Sequence, residues 1–530
     1  MPRSASSARF YFVIPMLTKL KKRKKDWFRI KRYPHIGFPL LSTDRKWVEH
    51  YLTNKEAIAE HAFYPFVHRK LEVRKFRREI CHDGTRSTLR RPSKKEREIY
   101  FSTHIDSSIY SYYSELLYNE YEKTLSKYGI TECVTAYRRV SKEPENPNSR
   151  NKCNIDFAND VFTYIKSKHN SDLVSITFDI RAFFDSLDHV ILKRYWKQVM
   201  DTGKDLPPDQ YNVYRNITKF SYIEEDDIFS TFKSQILVER NPDVVRRLSV
   251  DKIGYLRNQR AIAYCEEMDI DLLRNKNLIK SNKYVYQEGA KKGLRVKGIP
   301  QGSPISAILA NIYMMDFDKS ANEFIADLGG IYRRYSDDMI VVCDLKYAKD
   351  VIEHFAKNIK AYKLEIQSTK TQVFEFHYDL EHSRHYCFER NLDTGKLLNR
   401  TSFEYLGFQF DGRYTLLKNS SLAGYYRKMK RSIASRKFYA YHNNTETHGK
   451  IFKSRLYKRF THKGKTRRRI YTRDQIDKSR FYLSTKFDWG NFLTYATLAS
   501  ETIPDNKILS QVRGHWNIFH SVLRKAEGKK

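Results

Sequence analysis

At 530 residues, with 20 Gly and 14 Pro, the chain has room for roughly two to four domain-sized units but too little Gly and Pro for long flexible linkers. Its 98 Lys and Arg against 62 Asp and Glu give a formal charge of +36, and basic residues recur along the whole length, which excludes a single basic tail as the source. A field of that sign favours a polyanion, chiefly nucleic acid, with a membrane surface as the rival partner.

In chain order, the longest apolar run is Phe10–Leu17 (FYFVIPML). It is too short to span a bilayer and precedes the basic KKRKK at Lys21–Lys25, the reverse of a secretory signal, so it is expected to be a core strand or helix edge. One clear polar loop follows at Ser141–Lys152. No 20–50-residue repeat is evident. The six cysteines (Cys81, Cys133, Cys153, Cys265, Cys343, Cys387) show no zinc or CxxC spacing and are expected to be buried free thiols in a reducing cytoplasm.

From Ser171, Val174, Ile176, Phe178 and Ile180 alternate with Ser175, Thr177 and Asp179, the period-2 pattern of a half-buried strand with an acid at its C-terminal end. The period then becomes helical, with Leu187, Val190, Ile191 and Trp196 apolar and Asp185 or Ser186 as the cap. Between Lys297 and Met314, Gly298, Pro300, Gly302, Ser303 and Pro304 form a tight loop in which a backbone can approach a ligand, and a helical face follows at Ile305, Ile308, Leu309, Ile312 and Tyr313. Arg333–Asp344 (RRYSDDMIVVCD) reads as a hairpin with Ser336, Asp337 and Asp338 at its turn.

Two strands can bring Asp179 beside Asp337. Carboxylates that close repel unless one takes up a proton or divalent ions offset their charge. Two ions about 4 Å apart can activate a 3′-hydroxyl and stabilise a leaving pyrophosphate. The carboxylates alone leave the bland reading open, a solvated turn and a helix cap.

In order, "DIRAFF", "PQGSPIS" and "YSDD" resemble motifs A, B and C of reverse transcriptases. The resemblance extends to "AYRR" (Ala136–Arg139) in the fingers, "EIQSTKTQVFEF" (Glu365–Phe376) as motif D and "FEYLGFQF" (Phe403–Phe410) as motif E, and covers about Phe101 to Gly412. It implies an α+β right-hand polymerase: N-terminal extension 1–100, fingers 101–171, palm 172–412 of antiparallel strands with a helical, finger-like insertion at 190–290, and a basic helical thumb at 413–530. It further implies that Asp179, Asp337 and Asp338 are catalytic and bind two Mg²⁺, with Mn²⁺ as a substitute, and that Ile180 lends its carbonyl. Arg138, Phe184, Gln301 and Gly302 would meet the dNTP. Phe184 would act as the steric gate against a ribose 2′-hydroxyl, or else simply pack in the core. Lys370 would protonate the leaving pyrophosphate, or else be a surface lysine. Tyr405, Leu406 and Gly407 would form the primer grip.

The thumb segment holds an amphipathic helix in "SLAGYYRKMKRSI" and a basic run, Lys453–Arg469, whose Lys453, Arg455, Lys458, Arg459, Arg467, Arg468 and Arg469 are expected to bind nucleic acid. The overall likeness is greatest to bacterial defence-associated, abortive-infection-like reverse transcriptases, related to group II intron and retron enzymes. That group implies a cytoplasmic enzyme in antiphage defence, a noncoding RNA template, a DNA product, and a homo-oligomer or a second defence protein as partner, with no membrane. A protein-primed or template-independent polymerase, an intron maturase-like protein and an inactive RNA-binding scaffold are the alternatives.

Overall fold

The structure, a computed structural model, describes residues 27–80, 86–146, 149–241, 244–285, 293–392, 394–442, 447–466, 469–473, 481–487 and 490–528. The runs Phe10–Leu17 and Lys21–Lys25, together with Cys81, lie outside the described residues.

The N-terminal part contains β1 (His35–Ile36), α1 (Arg45–Thr53) and α2 (Lys55–Glu60), then a long antiparallel ribbon, β2 (Phe66–Ile80) and β3 (Arg86–Phe101), and α3 (His104–Tyr128). Local chemistry sets the helix starts: Asn54 accepts the Glu56 and Ala57 amides ahead of α2, and Thr103 accepts the Asp106 amide ahead of α3. After α4 (Asn154–Ser167) come β4 (Leu173–Asp179), the short α5 (Phe183–Ser186), α6 (His189–Met200) and α7 (Pro208–Thr218). Asp188 caps α6, taking the Val190 and Ile191 amides.

The segment expected to be a helical insertion is mixed instead. It continues through β5 (Ser221–Glu224), α8 (Glu225–Phe232), β6 (Ile236–Asn241), β7 (Val244–Leu248), β8 (Ala261–Cys265), α9 (Ile270–Asn275), β9 (Lys280–Ser281) and β10 (Tyr284–Val285), with β11 (Gly293–Leu294) pairing to β10 beyond it. Four strands form a sheet in the order β1-β8-β6-β7, and another sheet runs β3-β2-β5-β9. Both join the insertion to the N-terminal part through parallel pairs, β1 with β8 and β2 with β5. Ile36, Val67, Ile223, Phe232 and Tyr264 share one core there. All five residues of β8 are buried, which a short apolar run such as AIAYC permits equally for a helix or a buried strand.

The central sheet is completed by β12 (Ile331–Tyr335), β13 (Asp338–Asp344), β14 (Gln372–Asp379), β15 (Arg384–Arg390) and β16 (Leu397–Arg400), which follow α10 (Ser306–Tyr313) and α11 (Met315–Asp327), with α12 (Ala348–Asn358) between β13 and β14. Its order is β12-β13-β4-β14-β15-β16, and every pairing is antiparallel. Strand β13 explains the unbroken apolar run after the aspartates: Met339, Val341 and Cys343 enter the large core, while Ile340 and Val342 enter a second core on the opposite face. Helices of both layers thus cover the sheet, and β4, expected to be half-buried, is a central strand with Ser175 fully buried.

A three-stranded sheet, β17 (Phe403–Tyr405), β18 (Phe408–Phe410) and β19 (Thr415–Leu417), packs into the second core. The C-terminal part contains α13 (Asn419–Tyr441), α14 (Ser454–Phe460), the hairpin β20 (Arg469–Arg473) and β21 (Phe481–Phe487), α15 (Phe492–Thr502), α16 (Ile508–Val512) and α17 (His515–Ala526). The expected amphipathic helix is α13, which buries Tyr425, Met429 and Ile433 at four-residue intervals. The five described cysteines are free, and four of them are buried. Among the described residues no helix is long and apolar enough to cross a membrane.

Two buried histidines make the N-terminal core acid-sensitive. His35 accepts the Ile36 amide on Nδ1 and so donates from Nε2 to the Phe101 carbonyl; burial lowers its pKa to about 3. His104, buried and stacked on Tyr33, is lowered to about 4, mainly by burial. A base whose folded pKa lies below its unfolded value contributes its full stability above about pH 6.5 and loses it as pH falls, because the unfolded chain takes the proton first. Each should cost on the order of 2 kcal/mol between pH 6.5 and 5. His104→Phe, which keeps the stacking, should therefore flatten the drop in urea midpoint between pH 7 and 5; an unchanged drop would refute this account.

Candidate active site

The turn that carries the paired acids has two residues. Tyr335 pairs with Asp338 to close it, and Ser336 adopts the left-handed region at φ 64°. Strand β13 then runs along β4 in a register that sets Asp338 directly across from Asp179, the last residue of β4. Beyond that pair the Ile180 amide donates to the Asp337 carbonyl at 3.3 Å, so both chains leave the sheet together. On the other side of β4 the Gln367 amide donates to the Asp179 carbonyl (2.8 Å) and the Arg181 amide to the Glu365 carbonyl (2.9 Å), which brings in the expected motif D. The acids therefore lie at the open end of a buried sheet: Asp338 is exposed and Asp337 half-buried. Their solvation resolves the cost of carboxylates next to an apolar run. The ammonium of Lys370 stands 2.5 Å from Asp179 Oδ1.

Beneath the turn lies an ion pair that the sequence did not advertise. Arg334 and Asp318 are both fully buried, joined by Nε–Oδ1 (2.7 Å) and Nη2–Oδ2 (2.6 Å) bonds. Arg334 Nη1 also donates to the Ser336 carbonyl (3.1 Å) and to Asn311 Oδ1 (3.2 Å), and the Tyr332 hydroxyl donates to Asp318 Oδ1 (2.9 Å). Asn311 in turn donates to the Ala136 carbonyl (3.1 Å). One guanidinium thus ties the Ser336–Asp337 turn to α10, α11 and the AYRR segment, whose approach lies along β12 through a Val134–Arg334 bridge. A faint signal existed: Arg334 falls on the inward phase of β12 with Tyr332, and Asp318 on the stripe of α11 that continues through Ala321 and Ile325.

The glycine-rich loop lies against α5 and α6. The Ile299 amide donates to the Phe184 carbonyl (2.9 Å), the Gly298 amide to the Leu187 carbonyl (2.8 Å), and His189 Nε2 to the Gly298 carbonyl (2.8 Å). Phe184 is half-buried at the rim of the large core, and burial, with Glu98 adding to it, raises the pKa of the neighbouring Asp185. The Gln301 carbonyl accepts the Tyr100 amide (2.9 Å), so the base of the β2–β3 ribbon abuts this loop. Gly302, at φ 120°, has no room for a Cβ, which would stand 2.6 Å from the Tyr100 carbonyl oxygen.

Arg138 is a correction. Its fork closes on Glu122 of α3 (2.8 and 2.6 Å) and on the Thr131 and Val134 carbonyls, and its side chain is 4% exposed, so it is not free to meet a triphosphate. Arg139 is likewise engaged, by Glu115. The residue of this motif that reaches the site is Tyr137, 52% exposed, whose hydroxyl lies 3.3 Å from Ser336 Oγ.

Tyr405, Leu406 and Gly407 occupy the β17–β18 turn, where Leu406 (φ 43°) and Gly407 (φ 93°) are both left-handed and the Leu406 carbonyl accepts from Asn154 Nδ2 at 3.1 Å. The buried Tyr405 hydroxyl has no hydrogen-bond partner, and burial, aided by the Asp338 carboxylate, pushes its pKa well up. Of the basic run, Arg455, Lys458 and Arg459 are exposed on α14, and Lys453 pairs with Glu527 at 2.5 Å. Arg469 begins β20, while Arg467 and Arg468 lie outside the described residues.

Hard carboxylate oxygens at one sheet end suit a divalent cation in kind, and the Lys370 ammonium beside Asp179 marks where positive charge is favoured. The three aspartates do not close to a ligand cluster. Among the described residues the set with all ligand atoms within 4.8 Å is Asp379, Glu381 and His382, at the distant β14–β15 turn.

Breaking one side of the Arg334–Asp318 pair strands a buried charge. Asp318→Leu or Arg334→Met alone should cost about 3–5 kcal/mol, whereas the double variant should return close to the parent stability. Chemical unfolding of all four proteins checks this, and additive losses in the double variant would refute it.

Residues 262–410 match the family model described as reverse transcriptase (RNA-dependent DNA polymerase). The match takes in the glycine-rich loop, the Asp337–Asp338 turn and the β17–β18 turn; Asp179 lies outside it and is brought in by strand register. A search of curated proteins gives no match. Among solved structures the chain is similar to apo telomerase from Candida tropicalis, at 12% identity and TM-score 0.33, covering 94% of this chain and 70% of that one. It is also similar to telomerase from Candida albicans in complex with a fragment of telomeric RNA, at 10% identity and TM-score 0.33, covering 95% and 68%. At those scores the likeness supports no statement about activity. The family match does: the chain contains a reverse transcriptase domain, an RNA-directed DNA polymerase of the nucleotidyltransferase class.

Proposed function

We propose that this polymerase copies a noncoding RNA into DNA with Asp179, Asp337 and Asp338 as its catalytic carboxylates, and that it serves antiphage defence in a bacterial cytoplasm. The observation that carries the catalytic reading is the register that sets Asp338 across from Asp179 at the open end of the sheet. The excess of 36 positive charges supports a nucleic-acid partner. The defence role, and a homo-oligomer or second defence protein as partner, rest on the family resemblance of the motifs alone.

In this reading Mg²⁺ held by the three aspartates, with the Ile180 carbonyl, would activate the primer 3′-hydroxyl and offset charge on the leaving pyrophosphate. Lys370 exchanges Asp179 for the pyrophosphate and supplies its proton. Phe184 fills the space of a ribose 2′-hydroxyl, Gln301 and Gly302 line the base, and the Tyr405–Gly407 turn holds the primer end. Fingers at 101–171, a palm at 172–412 and a thumb at 413–530 are the divisions proposed.

The decisive experiment purifies the protein with its bound nucleic acid, adds Mg²⁺ and dNTPs, and sequences the DNA made. DNA complementary to a co-purified RNA is expected; DNA without such a match would overturn templated synthesis. Asp337→Ala should lower synthesis on the order of 10³-fold or more while leaving RNA affinity unchanged, and retained synthesis would sink the site assignment. Phe184→Ala should relax discrimination between dNTPs and rNTPs at least about tenfold; unchanged selectivity would reject the gate.

A further inference from the structure

Helices α13, α14 and α17 share one core, in which Leu456, Phe460, Phe519 and Leu523 are buried. At the rim of that core sits an aromatic group with a different character. Trp516 is half-buried among rings, its centroid 4.3 Å from His520, 4.8 Å from His462 and 5.8 Å from Tyr457. The Lys463 ammonium lies 4.8 Å from the Tyr457 ring centre and 5.8 Å from that of Trp516. Arg455, Lys458 and Arg459 are exposed on the same short α14, and Arg524 is exposed one turn beyond His520. The carboxylate that bears on this face, Glu527, is engaged by Lys453.

A core satellite would bury its rings and needs no cations. Here the indole stays at the surface, and the charges around it are almost all positive. Rings at this separation, fringed by Lys and Arg, are what a flexible polyanion with exposed π-faces recognises. Base-paired nucleic acid offers its phosphates to such a surface but keeps its bases stacked on one another, so it cannot use the rings.

We propose that Trp516, with Tyr457, His462 and His520, forms a stacking platform for single-stranded nucleic acid, separate from the acid-bearing end of the sheet. A base displaces the Lys463 ammonium from the ring face, and the ammonium moves to the strand's phosphate. This rests on the polymerase reading only in taking nucleic acid as the partner.

The test measures binding of short labelled oligo(dT), oligo(rU) and a DNA hairpin duplex to the full chain carrying Asp337→Ala, so that no synthesis intervenes. Adding Trp516→Ala should weaken both single strands about 5- to 100-fold and leave the duplex unaffected. Adding Lys463→Gln should instead reduce the salt slope for the single strands by about 0.7. A larger loss for one sugar supports the platform and identifies its strand; equal losses support stacking without sugar preference. Unchanged single-strand affinity, or an equal loss for duplex, overturns the proposal. If Trp516→Ala fails to fold, Trp516→Phe decides: the quenching of tryptophan fluorescence by oligo(dT) should be smaller than in the parent, and equal quenching overturns the platform. Failure of the unmodified protein to make DNA would count against the polymerase reading and leave this binding result standing.

Discussion

The Arg334–Asp318 pair is the constraint on which the acid-bearing end of the sheet depends. A two-residue turn with a non-glycine residue at positive φ is not a self-sufficient structure, and its carbonyls must find donors. The guanidinium supplies one to Ser336 from below, and the Ile180 amide supplies one to Asp337 from the side. Because both charges are fully buried, the guanidinium cannot leave Asp318 without a large desolvation penalty, so the turn inherits the rigidity of the ion pair. A turn fixed from two sides holds its paired acids in one place.

The same pair explains why distant segments converge. Asn311, on the helix after the glycine-rich loop, accepts from Arg334 and donates to Ala136. The loop itself is sewn to α5 and α6 by backbone bonds to Phe184 and Leu187 and by the His189 side chain, whose Nε2 donates to the Gly298 carbonyl and whose pKa burial lowers. The acids at the sheet end, the half-buried phenylalanine and the loop are thus parts of one hydrogen-bonded frame, although some 150 residues of sequence separate its ends.

What the sequence made legible follows from the range of the signal. Alternation in Val174–Asp179 and the Ser336–Asp338 turn are local patterns, and both strands, their turn and the glycine-rich loop formed where those patterns put them. The partner of a buried arginine is not local: Arg138 was assigned to a ligand because nothing in AYRR reveals Glu122 on the preceding helix. Burial likewise could not be read for β4, whose Ser175 and Thr177 suggested a wet face but lie in a central strand between two cores.

The insertion was misread for the same reason at larger scale. The short apolar run of β8 carries no decisive period, and its parallel partner β1 is contributed from more than 200 residues earlier, as the β2 partner of β5 is from more than 150. Parallel pairing across such a gap leaves no trace in either segment alone, since each merely looks apolar. Its consequence reaches the site. The ribbon that β5 holds at its base is the one whose Tyr100 amide bonds Gln301 and whose Tyr100 carbonyl leaves no room for a side chain at Gly302. The extension and the insertion, which looked like additions to a polymerase, therefore form one wall of its glycine-rich loop.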